Sequence, residues 1–155
     1  QREPDKEKYV MTEKFQGVIL AIGTFNNGLT IYVKDERLIY DHNAFTEHTV
    51  FHSDVPIPHG EVVLGVDQAR VSRGPASVKL TINESLVGQG IIKDIPAMIS
   101  SIGMDIGSNP TGVSDAYPTP FEFTGILKRL EITTQRSLRP DDELALEIRQ
   151  ALGTQ

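Results

Sequence analysis

A strict alternation of apolar and polar side chains, repeated in several short segments, constrains the fold of this sequence most. Successive side chains of a β-strand point to opposite faces, so a period of two predicts strands that turn one face toward a core. The predicted core residues are Ile31, Val33, Val62, Leu64, Val66, Val78, Leu80 and Ile82. In the first of these segments, the side chains predicted to point outward are those of Thr30, Tyr32 and Lys34.

Residues typical of tight turns separate the alternating segments. They are Asn26-Asn27-Gly28, Asp35-Glu36 and Asn83-Glu84-Ser85. Residues 17–23 form an apolar run between glycines, and residues 47–52 are also rich in strand-forming side chains. About eight to ten short strands joined by turns predict a mostly-β fold, an antiparallel β-sandwich or jelly roll.

The composition suggests three regions along the chain. Residues 1–15 are largely polar and predict an N-terminal arm or linker, residues 16–135 a β-sandwich domain, and residues 136–155 a tail. The tail alone has a helical pattern, with the acidic residues 141–143 at its start, where they suit the positive end of a helix dipole. Its apolar stripe consists of Leu144, Ile148, Ala151 and Leu152. This stripe predicts a C-terminal α-helix over about residues 141–152.

Charge and composition exclude several classes of protein. The net charge of −6 repels phosphate, so we expect no nucleic-acid partner. No segment is apolar for long enough to span a membrane, so we expect a soluble protein without a membrane partner. The chain has no cysteine, which excludes disulfides, thiolate metal sites and a cysteine nucleophile. Because the sequence begins with Gln1, we expect a processed product or an excised fragment.

No catalytic constellation is apparent. The sequence lacks a G-x-S-x-G nucleophile motif, and the pair Asp141 and Asp142 suits a helix start. His48 and His52 have a spacing that binds zinc on a helix, but their segment is rich in β-formers. On a strand they would lie roughly 13 Å apart, which is too far to share one ion. We therefore expect no catalytic residue and no metal at these histidines.

Two groups of residues remain as candidate binding sites. Tyr32, Tyr40 and His42 form a possible binding surface, because strand tyrosines offer flat rings to a carbohydrate. The loop over residues 100–120 is rich in Gly, Ser, Pro, Asn and Asp, and its candidate calcium ligands are Asp105, Asn109 and Asp115. Its spacing does not match an EF-hand. We favour a loop without a cofactor, held by local hydrogen bonds of Asp105, with Tyr117 packed beneath it near Phe121 or Phe123.

Five segments carry a family resemblance. In order, residues 28–43, 76–83, 103–107, 113–117 and 121–125 resemble the C-terminal domain of a class of large bacterial arylsulfatases. That domain is a concanavalin A-like, laminin G-like sandwich, and the resemblance covers roughly residues 17–133, with a similar tail. The family usually has a clear strand ahead of the run that begins at Gly17, whereas residues 9–15 here are short and mixed in polarity.

The resemblance implies a bacterial parent protein and an accessory role. In sulfatases the chemistry belongs to a separate α/β domain, with a formylglycine made from Cys or Ser in a C/S-x-P-x-R motif. This chain has no Cys, and the sequence from Ser108 to Gly112 lacks the Arg. We therefore expect a non-catalytic domain that packs on or supports the catalytic sulfatase domain of the same parent. The alternative is a free-standing module that binds carbohydrate or protein, and the reading frame upstream of Gln1 would distinguish the two.

Overall fold

The computed structural model describes residues 15–70, 75–93, 103–136 and 144–153, and these residues form a two-sheet β structure. Within these ranges the chain contains ten strands and no helix, hence none that could cross a membrane. The strands are β1 (Gly17–Thr24), β2 (Asn27–Lys34), β3 (Arg37–Ala44), β4 (Glu47–His52), β5 (Val62–Arg70), β6 (Ala76–Ile82), β7 (Ser85–Ile92), β8 (Met104–Ile106), β9 (Ile126–Arg136) and β10 (Leu144–Gly153).

The first sheet, called sheet A here, has the strand order β4-β3-β2-β1-β8. Its first four strands form successive antiparallel hairpins. The predicted turn at Asp35-Glu36 is confirmed, and both residues have positive φ, as a tight hairpin turn requires. The first turn lies one residue earlier than predicted, at Phe25-Asn26, because Asn27 and Gly28 already pair within the hairpin.

The second sheet, sheet B, has the order β7-β6-β5-β10-β9, and it corrects the prediction for the tail. Residues 144–153 form a strand and not the predicted helix, so the helix assigned to about 141–152 is wrong where the structure describes it. Leu144, Leu146 and Ile148 also fit a period of two, and strand β10 pairs with a neighbour on each side. The C-terminal segment is therefore part of the sheet and not an appended tail.

One core lies between the two sheets. All eight core residues predicted from the alternation are buried in a single cluster that draws on both sheets, which confirms the sandwich arrangement and those positions. Along one side the sandwich is closed, because the Asp54 N–H, just beyond β4, donates to the Val87 carbonyl of β7 over 2.6 Å. Burial of this shared apolar face is the main stabilising contribution to such a fold.

A second, smaller core lies on the outer face of sheet A. Thr30 and Tyr32, predicted to face outward, are on that face but are buried. The loop that follows β8 covers them with Val113 and Tyr117. An apolar and aromatic layer under a long loop gives the loop internal packing, which an irregular segment of this length needs.

Candidate functional site

The predicted binding surface of Tyr32, Tyr40 and His42 does not exist as a surface. The three residues are only 1–2% exposed. Tyr40 belongs to the core between the sheets, and His42, two residues further along β3, shares its face. Tyr32 lies on the opposite side of sheet A, beneath the loop. The second sheet therefore covers Tyr40, and the loop covers Tyr32. Neither contact was predicted from the sequence.

An aromatic cluster joins the loop to sheet A. The ring centroids of Tyr32 and Tyr117 are 4.9 Å apart in an edge-to-face arrangement, and Tyr117 stacks on Phe121 at the same distance. The predicted packing of Tyr117 is thereby confirmed for Phe121. Burial raises the pKa of Tyr32 and that of Tyr117 to about 12, so both phenols stay protonated and able to donate a hydrogen bond at neutral pH.

Asn109, and not Asp105, is the residue whose hydrogen bonds hold the loop. Its Oδ1 accepts from the Val113 N–H and from the Tyr117 hydroxyl, each over 2.7 Å, and its Nδ2 donates to Thr111 Oγ1 over 3.0 Å. Asn109 is fully buried. Its carboxamide oxygen is therefore engaged by two donors and is not free for an ion.

The three candidate calcium ligands lie in different settings, one in β8 and two in the loop that follows it. Asp105 lies in β8 opposite Ala21, whereas Asp115 is exposed further along the loop. Within the described part of the chain, no group of three His, Asp or Glu side chains could hold a metal ion. A calcium site built from Asp105, Asn109 and Asp115 has no support in this arrangement.

Asn43, which the sequence analysis missed, ties three segments together at one end of sheet A. Its Nδ2 donates to the Phe25 carbonyl over 2.7 Å and to the Val113 carbonyl over 2.9 Å. Its Oδ1 accepts from the Thr46 N–H over 2.8 Å. Only the contact with Thr46 joins residues close in sequence, so it alone could have been predicted, from an Asn that lies just before a turn.

These contacts build a rim from two hairpin turns and part of the loop. We call residues 24–27, 44–47 and 109–113 the Phe rim, after its two phenylalanines. Thr111 Oγ1 donates to the Gly23 carbonyl over 2.8 Å and so adds a second link between the loop and the first turn. Phe25 is 70% exposed and Phe45 is 59% exposed. The rim therefore presents two large aromatic side chains to solvent on a fixed backbone.

The two β4 histidines have separate roles in the structure. His48 Nδ1 lies 2.9 Å from Oδ1 of Asp41, a buried carboxylate on the neighbouring strand. His52 is exposed, and its Nδ1 lies 3.2 Å from the carbonyl oxygen of Ser53. The segment is a strand, as predicted, and each ring has its own partner.

A groove lies beside the loop on the outer face of sheet A. Its volume is about 430 Å³, and its lining includes Tyr32, Lys34, Asp35, Arg37, Ile39, Val50, His52, Ser53 and Asp54. The Lys34 ammonium donates to the Ala116 carbonyl over 2.7 Å, which attaches the loop to this wall. Asp35 and Asp54 line the groove together with Lys34 and Arg37, so its lining carries as many carboxylates as cations.

No protein-family model matches this chain, and no curated protein or solved structure is significantly similar to it.

Proposed function

We propose that this chain is a non-catalytic accessory domain of an arylsulfatase-like sulfuric ester hydrolase, which packs on the catalytic domain of the same parent. Its fold would be the concanavalin A-like, laminin G-like jelly roll of that family. The five segments that resemble the family support the parent, and the two packed antiparallel sheets agree with the fold class.

One observation carries the proposal: within the described part of the chain, large apolar side chains are exposed along the side of the sandwich opposite to the β4–β7 contact. There, β8 and β9 are the edge strands of their sheets. Met104 and Ile106 pair with Ile22 and Leu20, which face the core, so their side chains lie on the inner face of sheet A. In β9, Leu130 packs against the core. Ile132 is two residues further along the strand and therefore lies on the same inner face.

The side chains of Met104, Ile106 and Ile132 are exposed although they lie on inner faces, and Ile126 is exposed at the start of β9 beside Leu127, which packs against the core. We call Met104, Ile106, Ile126 and Ile132, which are 39–53% exposed, the open edge. Large exposed apolar groups beside the edge strands of a sheet mark surfaces that contact another protein. A neighbouring domain of the parent chain would cover these side chains and the outer edges of β8 and β9.

The polar groups described above favour a supporting role over chemistry. Asn109 and Tyr117 hold the loop, and the buried carboxylate of Asp41 is committed to the partly buried His48. Such hydrogen bonds rigidify a domain, and a rigid domain provides a stable face for docking.

Hydrogen exchange of this chain, alone and within its full parent protein, tests the proposal. Amides of residues 104–106 and 126–133 should exchange more slowly in the parent. The double substitution Ile106→Lys with Ile132→Lys should remove that protection. The matched control is Val63→Lys with Ile91→Lys, which changes exposed apolar residues on the outer face of sheet B and should leave the protection intact. Equal exchange in both proteins, or a parent without a sulfatase domain, would refute the proposal.

A further inference from the structure

The Phe rim carries an exposed aromatic pair that neither the core nor the open edge uses. Phe25 and Phe45 occupy the β1–β2 turn and the β3–β4 turn, at the same end of sheet A. Phenylalanine is normally buried, so two strongly exposed rings at one end of a domain call for an explanation.

The backbone at Phe45 is unfavourable for its side chain. Phe45 and Thr46 have φ values of 51° and 72°, in the left-handed region. Two other described hairpin turns share this geometry, and they begin with Asp35 and Asn83, residue types that tolerate it. A bulky aromatic residue in such a position is strained, and strain of this kind is concentrated at functional sites.

Hydrogen bonds within the protein also hold the backbone of the rim in place without a ligand. The buried Asn43 side chain bonds to both turns and to the loop, and Thr111 bonds to the end of β1. Side chains held on a fixed backbone lose little entropy on binding, which raises affinity without further contacts.

The charge of the rim limits the ligand class. Glu47 is the only charged residue of residues 24–27, 44–47 and 109–113, and the whole chain has a net charge of −6. Asn26 and Thr46 are exposed and add an amide and a hydroxyl to the two turns that carry the rings. Nothing in the rim attracts a sulfate, a phosphate or an anionic lipid surface.

We propose that the Phe rim binds an uncharged polysaccharide, whose sugar rings stack their C–H faces on Phe25 and Phe45. The two turns are two strand spacings apart, about 10 Å, so each ring would contact a different sugar of one chain. A sugar ring combines a flat apolar face with an edge of hydroxyls, which matches two aromatic rings with an amide and a hydroxyl on the same turns. A protein partner would instead need a contiguous contact surface of about 1,000 Å² or more.

Titration calorimetry with neutral hexasaccharides of glucose, mannose and xylose tests this inference. We expect at least one to bind, and Phe25→Ala and Phe45→Ala each to weaken its affinity at least tenfold. Phe45→Asn separates binding from folding, because it relieves the strained turn and should raise the melting temperature while it weakens binding to the same extent. Phe45→Tyr should retain binding, and Ile91→Ala, on the outer face of sheet B, should have no effect.

The inference is wrong if none of these hexasaccharides binds at millimolar concentration, or if binding survives both Phe25→Ala and Phe45→Asn. Binding only to dextran sulfate or to vesicles with anionic lipid would also overturn it. Phe25 and Phe45 lie outside the open edge. Loss of parent-dependent hydrogen-exchange protection in the Phe25 variant would identify a protein contact at the rim and contradict the polysaccharide site.

Discussion

At the scale of single residues, two buried asparagines organise the polar part of the molecule. Asn109 fixes the loop over sheet A, and Asn43 fixes the ends of two hairpins and the loop to one another. Both are fully buried. A buried amide whose donors and acceptor are engaged stabilises one arrangement of the chain against others, since each alternative leaves a polar group unpaired.

Asn43→Ala should lower the free energy of unfolding by about 3 kcal/mol, because it leaves two carbonyls and one N–H near the rim without their partner. Urea unfolding measures the loss. The control is Asn26→Ala in the exposed neighbouring turn, which should change stability by less than about 0.5 kcal/mol. Equal effects of the two substitutions would show that Asn43 does not link the segments.

His42 should make the domain sensitive to acid. It is buried, and among the residues that the structure describes neither of its ring nitrogens has a hydrogen-bond partner. Burial lowers the pKa of His42, and the nearby Asp41 opposes this only in part. The unfolded chain therefore binds a proton at a higher pH than the folded chain, so this contribution to stability is present above about pH 6.5 and is lost as the pH falls below it.

Unfolding free energies measured from pH 7.5 to 5 should fall less steeply for His42→Leu than for the unchanged protein. His52→Gln, which alters an exposed histidine on the neighbouring strand, serves as the control and should keep the original slope. A slope unaffected by His42→Leu would contradict the role of the buried imidazole.

At the scale of strands, the sequence identified elements where one periodicity dominates and failed where two compete. The alternation around Ile31 and Leu80 is compatible only with strands, and the structure confirms it. The segment from Leu144 fits a period of two as well as a helical stripe, and only its pairing with β5 and β9 decides between them. The Phe rim was not predictable either, because Asn43 and Val113 are 70 residues apart in sequence.

The closed side of the sandwich depends on a glycine in β7. A Cβ at Gly88 would lie 2.7 Å from the His52 carbonyl oxygen of β4, which is too close for a methyl carbon and an oxygen that are not bonded to each other. Gly88→Ala must separate β4 from β7 and should cost about 1–3 kcal/mol in thermal or urea unfolding. Gly103→Ala is the matched control, since open space surrounds that position, and it should be nearly neutral.

At the scale of the whole molecule, the two sides of the sandwich differ in a way that suits an accessory domain. One side is closed by a backbone hydrogen bond between β4 and β7, and the other leaves the apolar open edge exposed. The Phe rim lies at the hairpin end of sheet A and provides a separate aromatic surface. A domain of this form can dock on one protein while its rim remains free for a ligand.

The most direct test of the central claim is turnover of a chromogenic aryl sulfate by the purified chain. The account predicts a rate equal to that of a heat-treated control, because the chain lacks the cysteine or serine motif that gives rise to the sulfatase nucleophile. The parent protein, assayed beside it, should hydrolyse the same ester. Turnover by the isolated chain above the heated control would contradict a non-catalytic accessory role.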